Sequence, residues 1–510
     1  MSTTIYRKAW IFIGWKKRLK PLKYKYHFQT TPTIKIVGLK YIYMKKLFLL
    51  LLSFLVFNSF SNAQHHKYIP PKDSLVIKKL NQWQDYKFGL LMHWGTYSQW
   101  GIVESWSLCP EDEDWCKRRG KFSADYFEYR KQYENLQTTF NPKHFDPNKW
   151  AAAAANAGMK YVVFTTKHHD GFCMFDTKQT DYKITSDKCP FSKNAKADVT
   201  KEIFNAFRQQ NFWIGTYFSK PDWHCENYWS PYFPPLDRNP NYDIKKYPEK
   251  WKAYRTFTRN QIEELMKNYG KVDILWLDGG WVRPDSLDDY RNYKIRNDQD
   301  INMNEIAAMA RSYQPGLIVV DRDVPTENQN YLTPEQQLPD TLLPYPWETC
   351  MTMATSWSWV PNDGYKSSMQ LIQTLAKIVS RGGNFLLNVA PNADGEWDST
   401  AYIRLQQMGD WIKINGEAIY NTHPVYPYQY KNLVFTQNGK NIYVIILKKN
   451  ETDVLPDEME LPKFASSLKQ ATLLGNPLVK IKIENGSKLK LNGANQKIKS
   501  DAWVIKLVLN

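Results

Sequence analysis

The chain has 510 residues, 43% of them hydrophobic and 15% aromatic, with 20 tryptophans and 32 tyrosines. This length suffices for two domains around a large buried core, and the composition is that of a globular protein. Twelve of the charges behind the formal +17 lie in residues 1–63, which hold no Asp or Glu; the rest carries +5 without a basic run that would track phosphates, so a nucleic-acid partner is set aside.

The first organised segment begins at Met44. Lys45 and Lys46 precede an apolar run at 47–57, and Ser61-Asn62-Ala63 follows. A charged start, a short apolar stretch and a small-x-small boundary predict a signal peptide cut after Ala63. The run is shorter than the roughly 20 residues of a membrane span, so no stable membrane anchor is expected. Residues 1–43 read as an upstream extension, and the mature chain is expected in the periplasm or the medium. All six cysteines (109, 116, 173, 189, 225, 350) lie in the exported part, where disulfides are permitted. Cys109 and Cys116 are closest in sequence, and the absence of Cys-x-x-Cys argues against a zinc ribbon.

From about residue 85 to 420 apolar runs alternate with amphipathic segments. Strands are predicted at 88–93, 161–166, 212–219, 272–278, 317–321 and 384–389, and helices at 149–157, 200–210, 251–269, 304–312 and 367–379. Buried parallel strands separated by helices, without a glycine-rich dinucleotide turn, predict an α/β fold: a (β/α)8-like barrel over 64–424. After Pro424 the runs shorten to 433–436, 442–447, 470–474, 479–484, 488–491 and 503–508, with turn signals at Asn438-Gly439 and Asn485-Gly486. These predict a small antiparallel β-sandwich over 425–510.

Barrels collect functional groups at the C-terminal ends of their strands. The predicted strands end in His93-Trp94-Gly95, in His168-His169-Asp170-Gly171, in Tyr217-Phe218-Ser219, in Asp278-Gly279-Gly280 and in Asp321-Arg322. Asp278 stands between Trp276 and Trp281 and before two glycines, where a backbone turns tightly and a sugar can approach; capping a turn is the competing role. Cleaving a glycosidic bond takes a second carboxyl on another loop. Glu335 and Glu348 both qualify, and spacing does not choose between them. His168 and His169 are adjacent and diverge on leaving a strand, which favours hydroxyl binding over chelation of a metal. Each neutral imidazole offers one donor and one acceptor to a ring of hydroxyls.

Together the segments Lys87-Phe88-Gly89, His93-Trp94-Gly95, Phe145-Asp146-Pro147-Asn148-Lys149-Trp150, Lys167-His168-His169-Asp170-Gly171-Phe172, Trp276-Leu277-Asp278-Gly279, Trp347-Glu348-Thr349-Cys350, Gly382-Gly383-Asn384, Leu387-Asn388-Val389 and Asn415-Gly416-Glu417-Ala418-Ile419-Tyr420 resemble glycoside hydrolase family 29, the α-L-fucosidases. The resemblance spans about residues 80–425. It implies a barrel followed by a β-sandwich, hydrolysis of terminal α-L-fucosyl residues from glycans with retention, and no metal or other cofactor. Asp278 matches the family's nucleophile. Glu335 matches its acid/base, with Glu348 in reserve, and Arg322 a sugar-binding arginine about a dozen residues earlier. His93, His168, His169 and Tyr217 correspond to fucose-hydroxyl ligands. Glu104 and Trp106 correspond to a Glu-Trp pair that Ser105 here interrupts. Two other readings stand beside this one: a barrel glycosidase for another sugar, and a catalytically silent glycan-binding protein.

Overall fold

The computed structural model describes residues 68–110, 116–287, 297–492 and 498–510. The predicted signal segment and the acidic run 111–114 lie outside the described residues. Seven parallel strands, β1 (Phe88–Met92), β2 (Tyr161–Lys167), β3 (Trp213–Ser219), β4 (Ile274–Asp278), β5 (Ile318–Asp321), β6 (Glu348–Thr352) and β7 (Asn384–Asn388), pair in the order β5-β4-β3-β2-β1-β7-β6. They are buried almost throughout, which explains why most read as unbroken apolar runs rather than alternating ones.

The two edges β5 and β6 do not pair with each other. The extended segment 329–336 runs between them: Asn330 N–H donates to Val319 O (2.9 Å), Leu332 N–H to Pro346 O (3.0 Å), Glu348 N–H to Leu332 O (2.8 Å) and Gln336 N–H to Cys350 O (3.0 Å). This irregular stretch fills the place of an eighth strand and closes the ring. It carries Glu335.

Alternation along the strands sorts side chains into two cores. Phe88, Leu90 and Met92, Val162 and Phe164, Ile214 and Phe218, Leu275 and Leu277 point outward and pack in one cluster with the surrounding helices. Leu91, Tyr161 and Val163, Trp213 and Tyr217, Ile274 and Trp276, Ile318 and Val320, Cys350 and Leu386 fill the interior. The helix Ser74–Tyr86, capped by Asp73, closes the N-terminal mouth with Leu80 and Trp83; the Trp83 ring stacks 4.0 Å from Tyr331. Gly89 is required by close approach: a Cβ there would stand 2.4 Å from the Tyr161 ring, which crosses the barrel at that level.

The C-terminal part is an eight-stranded antiparallel sheet of β8 (His423–Tyr430), β9 (Leu433–Asn438), β10 (Asn441–Leu447), β11 (Glu458–Glu460), β12 (Leu468–Leu473), β13 (Lys480–Glu484), β14 (Lys488–Asn492) and β15 (Ala502–Leu509), in the order β11-β14-β13-β12-β15-β10-β9-β8. Its central strands are apolar on both faces. Leu433, Phe435, Ile442, Val444, Ile446, Trp503, Ile505 and Leu507 form its own core. Their alternates Val434, Tyr443, Ile445, Ala502 and Val504 join the barrel's outer core. Gln373 Nε2 and Trp411 Nε1, on barrel helices, donate to the backbone carbonyls of Lys448 and Ala502. Among the described residues no helix is long and apolar enough to cross a membrane.

Candidate active site

The inward positions at the C-terminal ends of the strands converge on a cavity of about 640 Å³. His93, Glu104, Trp106, His168, His169, Tyr217, Asp278, Arg322 and Glu335 all line it; Glu348 does not. Two buried ion pairs hold the loops that follow the strands, Lys167 with Asp222 at 2.9 Å and Lys220 with Asp321 at 2.5 Å.

Asp278 ends β4 with its carboxylate facing the cavity. Oδ2 accepts from Tyr217 Oη at 2.6 Å, and Oδ1 accepts from Gly279 N–H at 2.8 Å and from Arg322 Nη1 at 3.1 Å. Burial works against ionisation here, but the Arg322 charge, His169 and the tyrosine hydrogen bond outweigh it and hold the carboxyl well below the usual range. Arg322 Nη2 donates to Glu335 Oε2, and Arg322 Nε to Thr333 Oγ1 at 3.2 Å. One guanidinium therefore spans both acids, which limits their separation to what a single arginine fork reaches. Glu335 keeps a third of its side chain exposed (33%) and precedes Gln336 at φ 53°, so the carboxyl stands at the open side of a tight turn.

The three histidines are neutral and their tautomers are set by their partners. His93 Nδ1 lies 2.9 Å from Asn388 Oδ1; Asn388 Nδ2 is committed to Trp357 O at 2.7 Å, so His93 Nδ1 is the donor and Nε2 the free acceptor. His169 Nδ1 lies 2.6 Å from Ser219 Oγ, whose proton goes to Pro221 O at 2.6 Å, so this ring also donates from Nδ1. His169 Nε2 then meets Asp278 Oδ2 at 3.8 Å as two acceptors, a gap suited to a hydroxyl donor. Burial pushes His93 and His169 down to about 4 and His168 well below its ordinary value. His168 Nδ1 is held by Ser105 Oγ at 2.5 Å. The serine that interrupts the Glu104–Trp106 pair thus orients one of the two adjacent histidines, while its neighbours turn to the cavity. Glu104 is 3% exposed, its Oε2 has no partner among the described residues, and burial pushes its carboxyl up to about 7.

Residues 55–417 match the family described as Alpha-L-fucosidase. The chain belongs to that family. It is a glycoside hydrolase. The tissue alpha-L-fucosidase of Homo sapiens is 30% identical over 427 residues, covering 80% of this chain and 84% of its own, and the plasma alpha-L-fucosidase of Pongo abelii is 28% identical, covering 83% and 89%. Among solved structures, alpha-L-fucosidase isoenzyme 1 from Paenibacillus thiaminolyticus superposes with a TM-score of 0.70 at 28% identity, covering 86% of this chain and 100% of that one. The Thermotoga maritima alpha-fucosidase in complex with fucose gives 0.64 at 25%, with the same coverage.

Within this fucosidase framework Glu348 sits one layer beneath the cavity. It is fully buried; Oε2 accepts from Tyr161 Oη at 2.6 Å and Oε1 from Trp276 Nε1 at 3.2 Å. Trp276 in turn underlies both Tyr217, stacked at 5.3 Å, and the Arg322 guanidinium at 5.2 Å. Glu348 therefore supports the platform that aims the groups on Asp278, and nothing places it across a scissile bond. Glu348→Ala orphans two buried donors at about 1–3 kcal/mol each, so the unfolding free energy should drop by several kcal/mol. Glu348→Gln keeps one acceptor and should retain activity within about tenfold; a loss as deep as that of a Glu335 variant in steady-state assays would instead assign Glu348 to the chemistry.

Donor atoms of His168, His169 and Asp278 lie within 4.8 Å of one another, the one such grouping of potential metal ligands among the described residues. Its donors suit a cation poorly: both Asp278 oxygens are already engaged, and Arg322 brings positive charge against them. Asn388 and Ser219 set the histidine tautomers without having been expected to; Asn388 lies in the matched Leu387-Asn388-Val389 segment, which could have pointed to it, whereas Ser219 carries no signal beyond lying at a strand end. Arg238 lies in a loop with no periodicity, yet its guanidinium stands 4.9 Å from the Trp106 ring and 5.3 Å from Trp281 at the cavity wall.

Proposed function

We propose that the protein is a retaining exo-α-L-fucosidase acting on terminal α-L-fucosyl residues of glycans, with Asp278 as nucleophile and Glu335 as acid/base. The observation that carries this is a single guanidinium, Arg322, reaching both carboxylates, since retention requires acids only about 5–5.5 Å apart. Asp278, kept ionised, attacks the anomeric carbon as the bond to the leaving oxygen breaks and Glu335 gives that oxygen its proton. Water then attacks the anomeric carbon, its proton passes to Glu335, and the bond to Asp278 breaks. Glu335 has to carry a proton when the glycan is bound, so its contact with Arg322 loosens at that moment; its exposed position on a turn permits this.

His93, His168 and His169, with Glu104, receive the sugar hydroxyls, while Trp281 or Trp357, both lining the cavity, offers the apolar face for the methyl group that distinguishes fucose from galactose. A signal peptide ending at Ala63 would deliver the chain to the periplasm or the medium as a catalytic part over 64–424 and a C-terminal part over 425–510. The test is release of 4-nitrophenol from the α-L-fucoside and not from the corresponding galactoside, at a rate that a chelator such as EDTA leaves unchanged. Equal turnover of both sugars would reject the specificity, and loss of activity to EDTA that zinc restores would reject the metal-free mechanism.

A further inference from the structure

Glu104 and Trp106 line the cavity, and Ser105 between them does not. Ser105 is fully buried at the start of the short 3-10 helix Ser105–Leu108. Its Oγ lies 2.5 Å from His168 Nδ1, and that nitrogen is its one side-chain hydrogen-bond partner among the described residues. A hydroxyl carries one proton, and a buried hydroxyl has to place it. No carbonyl or carboxylate among the described residues accepts it, so the proton goes to His168 Nδ1. Were Nδ1 the donor instead, the serine proton would be sealed from water without an acceptor, at the full cost of its desolvation.

In a neutral imidazole a bare Nδ1 means a protonated Nε2, and burial beside His169 and His93 keeps His168 neutral. This is the reverse of both neighbours. His93 donates from Nδ1 to Asn388, and His169 donates from Nδ1 to Ser219. The two serines differ in one respect: Ser219 gives its proton to Pro221 O, whereas Ser105 has only the histidine to give it to. The nearby carboxylate favours the same assignment. One nitrogen of His168, one of His169 and an oxygen of Asp278 lie within 4.8 Å of one another. Three lone pairs turned on one point would repel; a proton on His168 makes the group one donor and two acceptors. Stacking on Tyr217, at 5.6 Å and 10° between planes, keeps the His168 edge in that direction.

We propose that Ser105 is a positioning residue that fixes His168 in the opposite tautomer to His93 and His169, so that the sugar hydroxyls meet one N–H donor beside two imidazole acceptors. The proposal rests on the fucosidase reading above and adds the direction of its hydrogen bonds: a hydroxyl that accepts from His168 is left to give its own proton to a neighbouring acceptor.

The experiment has two arms. Nitrogen NMR of the full chain, isotope-labelled in its nine histidines, reads which ring nitrogen of each carries the proton. The His93, His168 and His169 signals are identified by their loss in the corresponding Gln variants. His168 should be protonated at Nε2 and the other two at Nδ1; His168 protonated at Nδ1 overturns the assignment. The second arm compares the parent with Ser105→Ala on 4-nitrophenyl α-L-fucoside and on its 2-, 3- and 4-deoxy analogues. Ser105→Ala should lower kcat/KM on the intact fucoside by at least about tenfold. Taking the parent-to-variant ratio on each substrate cancels differences in intrinsic reactivity. On the analogue lacking the hydroxyl that His168 reads, that ratio should fall to within about twofold of one, while the other two analogues keep it. An equal loss on all four substrates is the mark of a packing role and overturns the proposal, as does no loss on the intact fucoside. Failure of the parent itself on the intact fucoside would instead remove the reading beneath it, and the NMR arm would still decide the tautomer.

Discussion

Asp278→Gly should lower kcat/KM on 4-nitrophenyl α-L-fucoside by at least about a thousandfold, equivalent to about 4 kcal/mol of transition-state stabilisation. The carboxylate is the group that three donors converge upon, Tyr217 Oη, Gly279 N–H and Arg322 Nη1, and all three would face an empty space. Removing it does more than delete a hydrogen bond, because the two-step route through a covalent intermediate loses its first bond-forming atom. Azide should enter that space, drawn by Arg322, and attack the anomeric carbon directly. The product is then the fucosyl azide of inverted configuration, identifiable by NMR. A variant within tenfold of the parent would take the nucleophile role away from Asp278. The parent's own rate should be insensitive to the protonation of this carboxyl, since Arg322 and its neighbours hold it far below the ordinary range. Protonation of His93 and His169 at about 4 should govern the acid limb instead, with activity lost as pH falls through that value.

Much of this arrangement is legible in the sequence, and for a physical reason. Strands buried on both faces leave continuous apolar runs, so β1 to β5 and β7 could be bounded closely, and the polar residues at their ends fell into one layer. The exceptions share a cause. Strand β6 begins with Glu348, an acid directed into the barrel, and its alternation of Thr with Cys and Met resembles a loop; that disguised both the strand and the supporting role of its first residue. Segment 329–336 makes its backbone bonds one at a time and has no periodicity to detect, although it closes the ring and presents Glu335. Ser105 looked like a departure from the family's Glu-Trp pair because sequence shows adjacency but not direction, and its hydroxyl points away from the cavity toward the back of the His168 ring. Spacing does not choose between Glu335 and Glu348 for the same reason, and only the family resemblance puts Glu335 first with Glu348 in reserve. Exposure and partners separate them: one stands at an open turn beside Arg322, the other is sealed between Tyr161 and Trp276.

Glu335→Ala should produce a loss that depends on the leaving group, which separates an acid/base from a merely nearby carboxylate. With a natural glycan the departing oxygen needs a proton, and kcat/KM should fall by about 10³–10⁴. With 4-nitrophenyl α-L-fucoside the phenolate leaves unaided, so formation of the covalent intermediate should be little slowed while its hydrolysis, deprived of a base, becomes limiting. The signature is a burst of nitrophenol equal to the enzyme concentration, followed by a slow steady state with a lowered KM. Azide needs no base and should relieve the second step, giving the fucosyl azide of retained configuration, the opposite stereochemistry to that from the Asp278 variant. The two products together test the geometry, since two acids on one guanidinium can yield opposite azides only if they stand on opposite faces of the anomeric carbon. Equal losses on both substrates, without a burst, would mean that Glu335 serves only to hold Arg322 in place.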